Sequence, residues 1–153
     1  MSGAEFLKDY EGITDRVTRV EATRDYPVLA ATAHPIYESA RVKSFAEILR
    51  GGQTADHAQL LGDLMFQSHA SYSRCGLGSE GTDRIVDLVK RSAGGDLYGA
   101  KITGGGSGGT VAILAAGAAA IKSKRLFPAI VKRPATNQQL SPARPRAQIV
   151  SGT

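Results

Sequence analysis

Leu97-Tyr98-Gly99-Ala100-Lys101-Ile102-Thr103-Gly104-Gly105-Gly106-Ser107-Gly108-Gly109-Thr110-Val111-Ala112-Ile113-Leu114 sets six consecutive small residues between two runs rich in β-formers. Glycine adopts positive φ without penalty and lets another group approach the backbone closely. A strand, a wide glycine turn and a second strand follow from this composition, and the turn has the makings of an anion cradle. Taken alone, the same pattern also describes a flexible hairpin with no ligand.

Gly104-x-Gly106-x-x-Gly109 matches the letters of the dinucleotide fingerprint, which requires a strand before it, a helix starting within it and an acid about 20 residues on. Thr110 to Leu114 favours a strand instead of a helix, and no Asp or Glu follows Asp96. The sequence therefore reads against a nicotinamide or flavin site. A Walker loop fails as well, because no Lys-Ser or Lys-Thr pair directly follows the glycines.

Further motifs stand in order around the hairpin. Gly99 to Val111 resembles the third, C-terminal motif of the GHMP small-molecule kinases in its galactokinase-type form. Leu61-Gly62-Asp63-Leu64-Met65-Phe66-Gln67-Ser68-His69 is similar to the helix that galactokinases carry before that motif. Ser71-Tyr72-Ser73-Arg74-Cys75-Gly76-Leu77-Gly78-Ser79-Glu80-Gly81-Thr82-Asp83-Arg84 departs from galactokinases, which have two adjacent acids there, and looks more like the plant-type L-arabinokinase branch. That likeness extends to Ser2-Gly3-Ala4-Glu5-Phe6-Leu7 and Ala33-His34-Pro35-Ile36-Tyr37-Glu38, covering residues 2 to 116.

The resemblance implies the C-terminal lobe of a two-lobed kinase, α+β and ferredoxin-like, with helices packed on a small antiparallel sheet. It implies ATP and Mg²⁺ as cofactors and L-arabinose or galactose as acceptor, phosphorylated at the anomeric oxygen. The family's substrate-facing N-terminal segment and its Pro-x-x-x-Gly-x-x-Ser-Ser phosphate loop are not in this sequence. The catalytic Asp belongs with them, so the catalytic residues are none of this chain's, and the partner implied is the N-terminal kinase lobe. Nucleotide-side residues are then Gly104, Gly105, Gly106, Ser107, Gly108 and Gly109, which either touch phosphate or brace the loop that does. Ser79 and Asp83, one turn apart, face the sugar in this picture, while helix capping explains them equally well. The alternative function is a non-catalytic remnant that keeps only the fold.

Length and charge fit that division. A chain of 153 residues makes one domain, assigned here to residues 1–121. The net charge of +5 sits in the tail: residues 122–153 carry seven bases, no acids and four of the six prolines, whereas 1–121 carry twelve bases against fourteen acids. The tail reads as disordered. Without aromatic interleaving or an amphipathic repeat, it predicts neither nucleic-acid nor membrane binding. A single cysteine excludes an intrachain disulfide framework, no signal peptide is visible, and the apolar run from Val111 to Ile121 is too short to span a bilayer, so the expected location is the cytoplasm.

Periodicity fills in the rest. Gly3 to Tyr10 reads as a short helix, and Arg16 to Glu21 and Val28 to Ala33 as strands. Pro35 opens a helix to Arg50, with Ile36, Ala40, Phe45 and Leu49 on one stripe, and Gly51-Gly52 ends it. Thr54 caps a helix to about Ser73, with an apolar stripe of Ala58, Leu61, Leu64, Met65, Ser68 and Tyr72. Ser79 or Thr82 caps a third helix, which buries Ile85, Val86, Leu88 and Val89 and stops at Gly94-Gly95. The hairpin flanks, Leu97 to Ile102 and Val111 to Leu114, are expected to stay uncovered without the other lobe. His69, between Met65 and Tyr72, reads as a packed helix histidine, and His34 as structural. A Ser79-His69-Asp83 triad is not required by the spacing, and the scattered histidines and lone cysteine show no metal-ligand pattern. Limited trypsin digestion is expected to cut first between Lys122 and Arg133 and leave a resistant core; early cleavage throughout the helices would make the tail integral to the fold.

Overall fold

The computed structural model describes residues 1–15, 17–52, 54–92, 96–105 and 109–117. Gly94-Gly95, Gly106-Ser107-Gly108 and the basic tail lie outside the described residues. Within them, α1 (Gly3–Asp9), α2 (Val28–Arg50), α3 (Ala55–Arg74) and α4 (Glu80–Arg91) precede strands β1 (Leu97–Thr103) and β2 (Thr110–Ala115). The strands form a two-stranded antiparallel sheet, so the class is α+β. Thr103 pairs with Thr110 across the glycine turn, and the register runs to Leu97 opposite Ala115 with a bulge between Leu97 and Gly99.

Local chemistry sets the helix ends. The Thr54 side chain accepts from the His57 N–H at the start of α3, and Ser79 and Thr82 cap α4 reciprocally. Both proposed α4 caps therefore act together. Asp56, Glu80 and Asp83 lie in first turns and Arg74, Lys90 and Arg91 in last turns, matching the helix dipoles. Gly51 closes α2, its N–H bonding the Glu47 and Ile48 carbonyls.

Residues 28–33 correct the strand expectation, because they are the first turns of α2. Three of the six are alanines, the best helix former, and among the described residues no strand lies beside them to complete a ladder. Pro35 consequently sits inside the helix. Pro35 has no N–H to donate to the Ala31 carbonyl one turn back, and Ala31 is exposed to water. Residues 17–21 also form no strand; the turn that follows them is bonded to the start of α1, the Gly3 and Ala4 N–H groups donating to the Arg24 and Ala22 carbonyls. The proposed α2 stripe is displaced as well: Ile36 and Leu49 are exposed, and the half-buried face carries His34, Glu38, Arg41, Phe45 and Ile48.

The core lies where α4 and α3 meet the hairpin. Val86 and Val89 pack with Leu97 and Ala100, flanked by Phe66, Val111, Ile113 and Ala115, while Leu61, Met65 and Ile102 are also buried. The first hairpin flank is thus covered within this chain, contrary to expectation; β1 is buried and β2 half-buried. Exposed apolar side chains concentrate on α2 instead, at Val28, Leu29, Ile36, Tyr37, Val42 and Leu49.

Helix α3 approaches β1 backbone to backbone. A Cβ on Gly62 would stand 2.0 Å from the Tyr98 carbonyl oxygen, and one on Gly99 would stand 2.4 Å from the Gly62 Cα. Neither contact can be relieved by a rotamer change, since the obstructing atoms are main chain. Gly62→Ala is expected to destabilise the fold by about 2–3 kcal/mol, the range of forced overpacking. Gly81→Ala in α4 meets open space and should be neutral or stabilising by up to about 1 kcal/mol. Urea midpoints of the two variants measure this contrast, and equal midpoints would refute the close crossing.

Candidate functional site

The glycine turn projects from the end of the hairpin. Gly104 has φ +84° and Gly109 φ +138°, conformations that strain residues with a side chain. The space beside them is open: a Cβ on Gly104 or Gly105 would meet nothing within 4 Å, and one on Gly109 only the Thr103 oxygen at 3.9 Å. Among the described residues, the turn thus presents exposed main chain at Gly104, Gly105 and Gly109 with no side chain beside it.

Helix α3 grips the strand that enters this turn. Tyr72 donates its hydroxyl proton to the Gly104 carbonyl at 2.9 Å, and the Ile102 N–H donates to His69 Nδ1 at 3.3 Å. The two side chains are three residues apart and so share one helix face. The His34 ring packs edge-on against Tyr72 with centroids 5.3 Å apart, and its Nδ1 lies 2.9 Å from Ser71 Oγ. His34, expected to be structural, is thus in contact with two side chains of α3.

Asp83 and Ser79 take different roles. Asp83 Oδ1 lies 3.1 Å from His69 Nε2 and accepts the Ser73 hydroxyl at 3.1 Å. Ser79 is 2.9 Å from Thr82 Oγ1 and accepts from the Thr82 N–H at 3.3 Å, which is its capping function. The structure therefore joins His69 to Asp83 and leaves Ser79 out. No nucleophilic triad forms, and Ser73 takes the place beside the carboxylate.

A second polar cluster, missed by the sequence reading, lies between α2, α3 and β1. Glu38 accepts from Ser68 Oγ at 2.5 Å, from Arg41 Nε at 2.8 Å and from Lys101 Nζ at 3.0 Å. Burial pushes the Glu38 carboxyl up. The hydrogen bonds from Ser68, Arg41 and Lys101, with the Lys101 charge, outweigh burial and hold it at about 2, against an ordinary 4.5. Arg41 Nη2 is buried without a partner. The same residues border a groove of about 320 Å³ that also touches Val42, Phe45, Leu64 and Met65. Only the 3-4 spacing of Glu38, Arg41 and Phe45 hinted at this face, and two of those residues are charged.

Among the described residues, no group of three or more His, Cys, Asp or Glu side chains is placed to hold a metal ion, and no helix is long and apolar enough to cross a membrane.

A hairpin with a left-handed glycine turn, held by the helix before it and packed with α4 in an α+β lobe, defines a recognisable class. The family profile "GHMP kinases C terminal" matches residues 46–127, and the chain belongs to that family. Over 121 residues it is 47% identical to the L-arabinokinase of Arabidopsis thaliana, a match covering 74% of this chain. It spans 12% of the length of that relative.

Because Glu38 titrates near 2 when folded and near 4.5 when unfolded, its contribution is complete above the unfolded value and is lost as pH falls from 4.5 towards 2. Glu38→Gln should lower stability near neutral pH and flatten the loss between those two pH values. Urea midpoints across that range check this; parallel curves for the two proteins would contradict it.

Proposed function

We propose that this chain is the C-terminal lobe of an ATP-dependent sugar kinase that phosphorylates the anomeric hydroxyl of a monosaccharide. The observation that carries this is the open glycine turn braced by Tyr72 and His69, in a chain of the GHMP kinase family. Likeness to an L-arabinokinase favours L-arabinose over galactose as acceptor.

When bound, ATP would supply the phosphoryl group and Mg²⁺ accompanying it would offset the phosphate charge. Phosphoryl transfer depends mainly on positioning and electrostatics, and this is what a rigid lobe provides. The sugar hydroxyl oxygen forms its bond to the γ-phosphorus as the bond to the β–γ bridging oxygen breaks. The hydroxyl proton passes to a base on the N-terminal lobe. This chain's share is the turn from Gly104 to Gly109, whose N–H groups either meet phosphate or hold the loop that does. Ser79 and Asp83, at the α4 entrance, form the sugar side.

The chain alone should give no sugar phosphate with ATP, Mg²⁺ and L-arabinose, whereas the complete polypeptide that includes the N-terminal lobe should turn over. A complete polypeptide with its phosphate loop and no turnover on either sugar would leave the fold-only remnant as the function. In the active polypeptide, Gly104→Val places a branched side chain at a left-handed position, with an expected strain of about 1–3 kcal/mol. It should raise the KM for ATP roughly tenfold with a smaller effect on the sugar KM. An unchanged ATP KM would make the turn a mere connector.

A further inference from the structure

We propose that His69 is a positioning residue that fastens the entrance of α4 to the strand leading into the glycine turn, fixing the spacing between the two halves of the site. The roles of those halves rest on the kinase reading; the fastening rests on geometry alone. His69 is 7% exposed and lies on α3, between the two segments it touches. Its Nδ1 accepts from the Ile102 N–H, so the ring proton resides on Nε2, which faces Asp83 Oδ1 at 3.1 Å.

Imidazole suits this task because it accepts on one edge and donates on the other through a rigid ring. Asparagine reproduces only the near acceptor, and glutamine only the far donor. The α4 entrance is locked to the same cluster from its other side. A Cβ on Gly78 would stand 2.8 Å from Ser73 Oγ and 2.9 Å from Asp83 Oδ1, so the loop before Ser79 lies directly on the Ser73-Asp83-His69 chain. Tyr72, one turn along α3, holds Gly104 beyond Ile102. A shift of the α4 entrance is thereby transmitted to Ile102, two residues before the turn.

The test compares the 153-residue chain with its Asp83→Ala variant by NMR. Asp83 has a 44% exposed side chain, so its truncation leaves the core in place. In the parent chain, His69 should show the neutral tautomer protonated at Nε2, and Asp83→Ala should convert it to a mixture. Exchange of the Ile102 amide proton should quicken roughly five- to tenfold, the scale of one net hydrogen bond, while Val89 in α4 is unchanged. An Ile102 rate and a His69 tautomer identical in both proteins would overturn the proposal. A variant that has lost its fold would show every amide accelerated, and His69→Asn then takes its place, keeping the acceptor for Ile102 and releasing Asp83. In the complete kinase, bound sugar should tighten ATP binding less in both His69→Asn and His69→Gln than in the parent. Equal coupling in all three would count against the fastening, whereas absence of turnover in the parent itself would sink the kinase reading and leave the NMR result to decide this one.

Discussion

Everything in this lobe is referred to the place where α3 crosses β1 with glycine against glycine. With Gly62 Cα within side-chain distance of Gly99, the helix lies closer to the strand than any pair of larger residues permits. That closeness brings two polar side chains of α3 within hydrogen-bond reach of main-chain atoms in and just beyond β1. A methyl group on either glycine would push helix and strand apart, and the contacts at Tyr72 and His69 would open with them. The helix glycine lowers intrinsic helix stability by about 1 kcal/mol relative to alanine. Its presence in the middle of α3 is explained by the approach it allows.

Polarity on the other side of α3 has a different character. Helix α2 buries no residue fully, and its contact with α3 includes the Glu38–Ser68 and His34–Ser71 hydrogen bonds. The hydrogen bonds to Glu38 outweigh its desolvation, so losing one partner would leave the remaining charges half-buried and uncompensated. Such a contact also specifies register, since each bond is directional. The buried apolar core lies between α3, α4 and the hairpin, and α2 is attached to that body partly through directional bonds. The exposed apolar residues of α2 lie on the least tightly packed long helix of the described chain.

Much of this architecture was legible in the sequence where local chemistry decides it. The caps at Thr54 and Ser79, the stop at Gly51 and the strand-turn-strand pattern each depend on residues within a few positions of one another. The start of α2 was not legible, because Val28 and Thr32 are β-branched and Pro35 looks like an opening residue. The alanines between them and the lack of a neighbouring strand decide otherwise. The inward face of α2 escaped detection since polar residues carry its period. The His69-Asp83 contact joins residues fourteen positions apart on separate helices, and neither residue type announces it. Burial of β1 was misjudged for a related reason, as α4 returns over the hairpin within the same chain.

The same helix thus serves both ends of the proposed site. Left-handed, side-chain-free backbone such as that at Gly104 and Gly109 is intrinsically loose. Stiffness has to come from its attachments. Antiparallel pairing of Thr103 with Thr110 fixes the base of the turn, and Tyr72 fixes Gly104 one residue beyond it. Loop and scaffold therefore meet within a few residues: on the β1 side Ile102 and Gly104 are tied to α3, and on the β2 side Thr110 pairs with Thr103. A turn anchored this way can approach a charged group closely without carrying the disorder of a long linker, and its position is set by a helix whose own placement depends on Gly62.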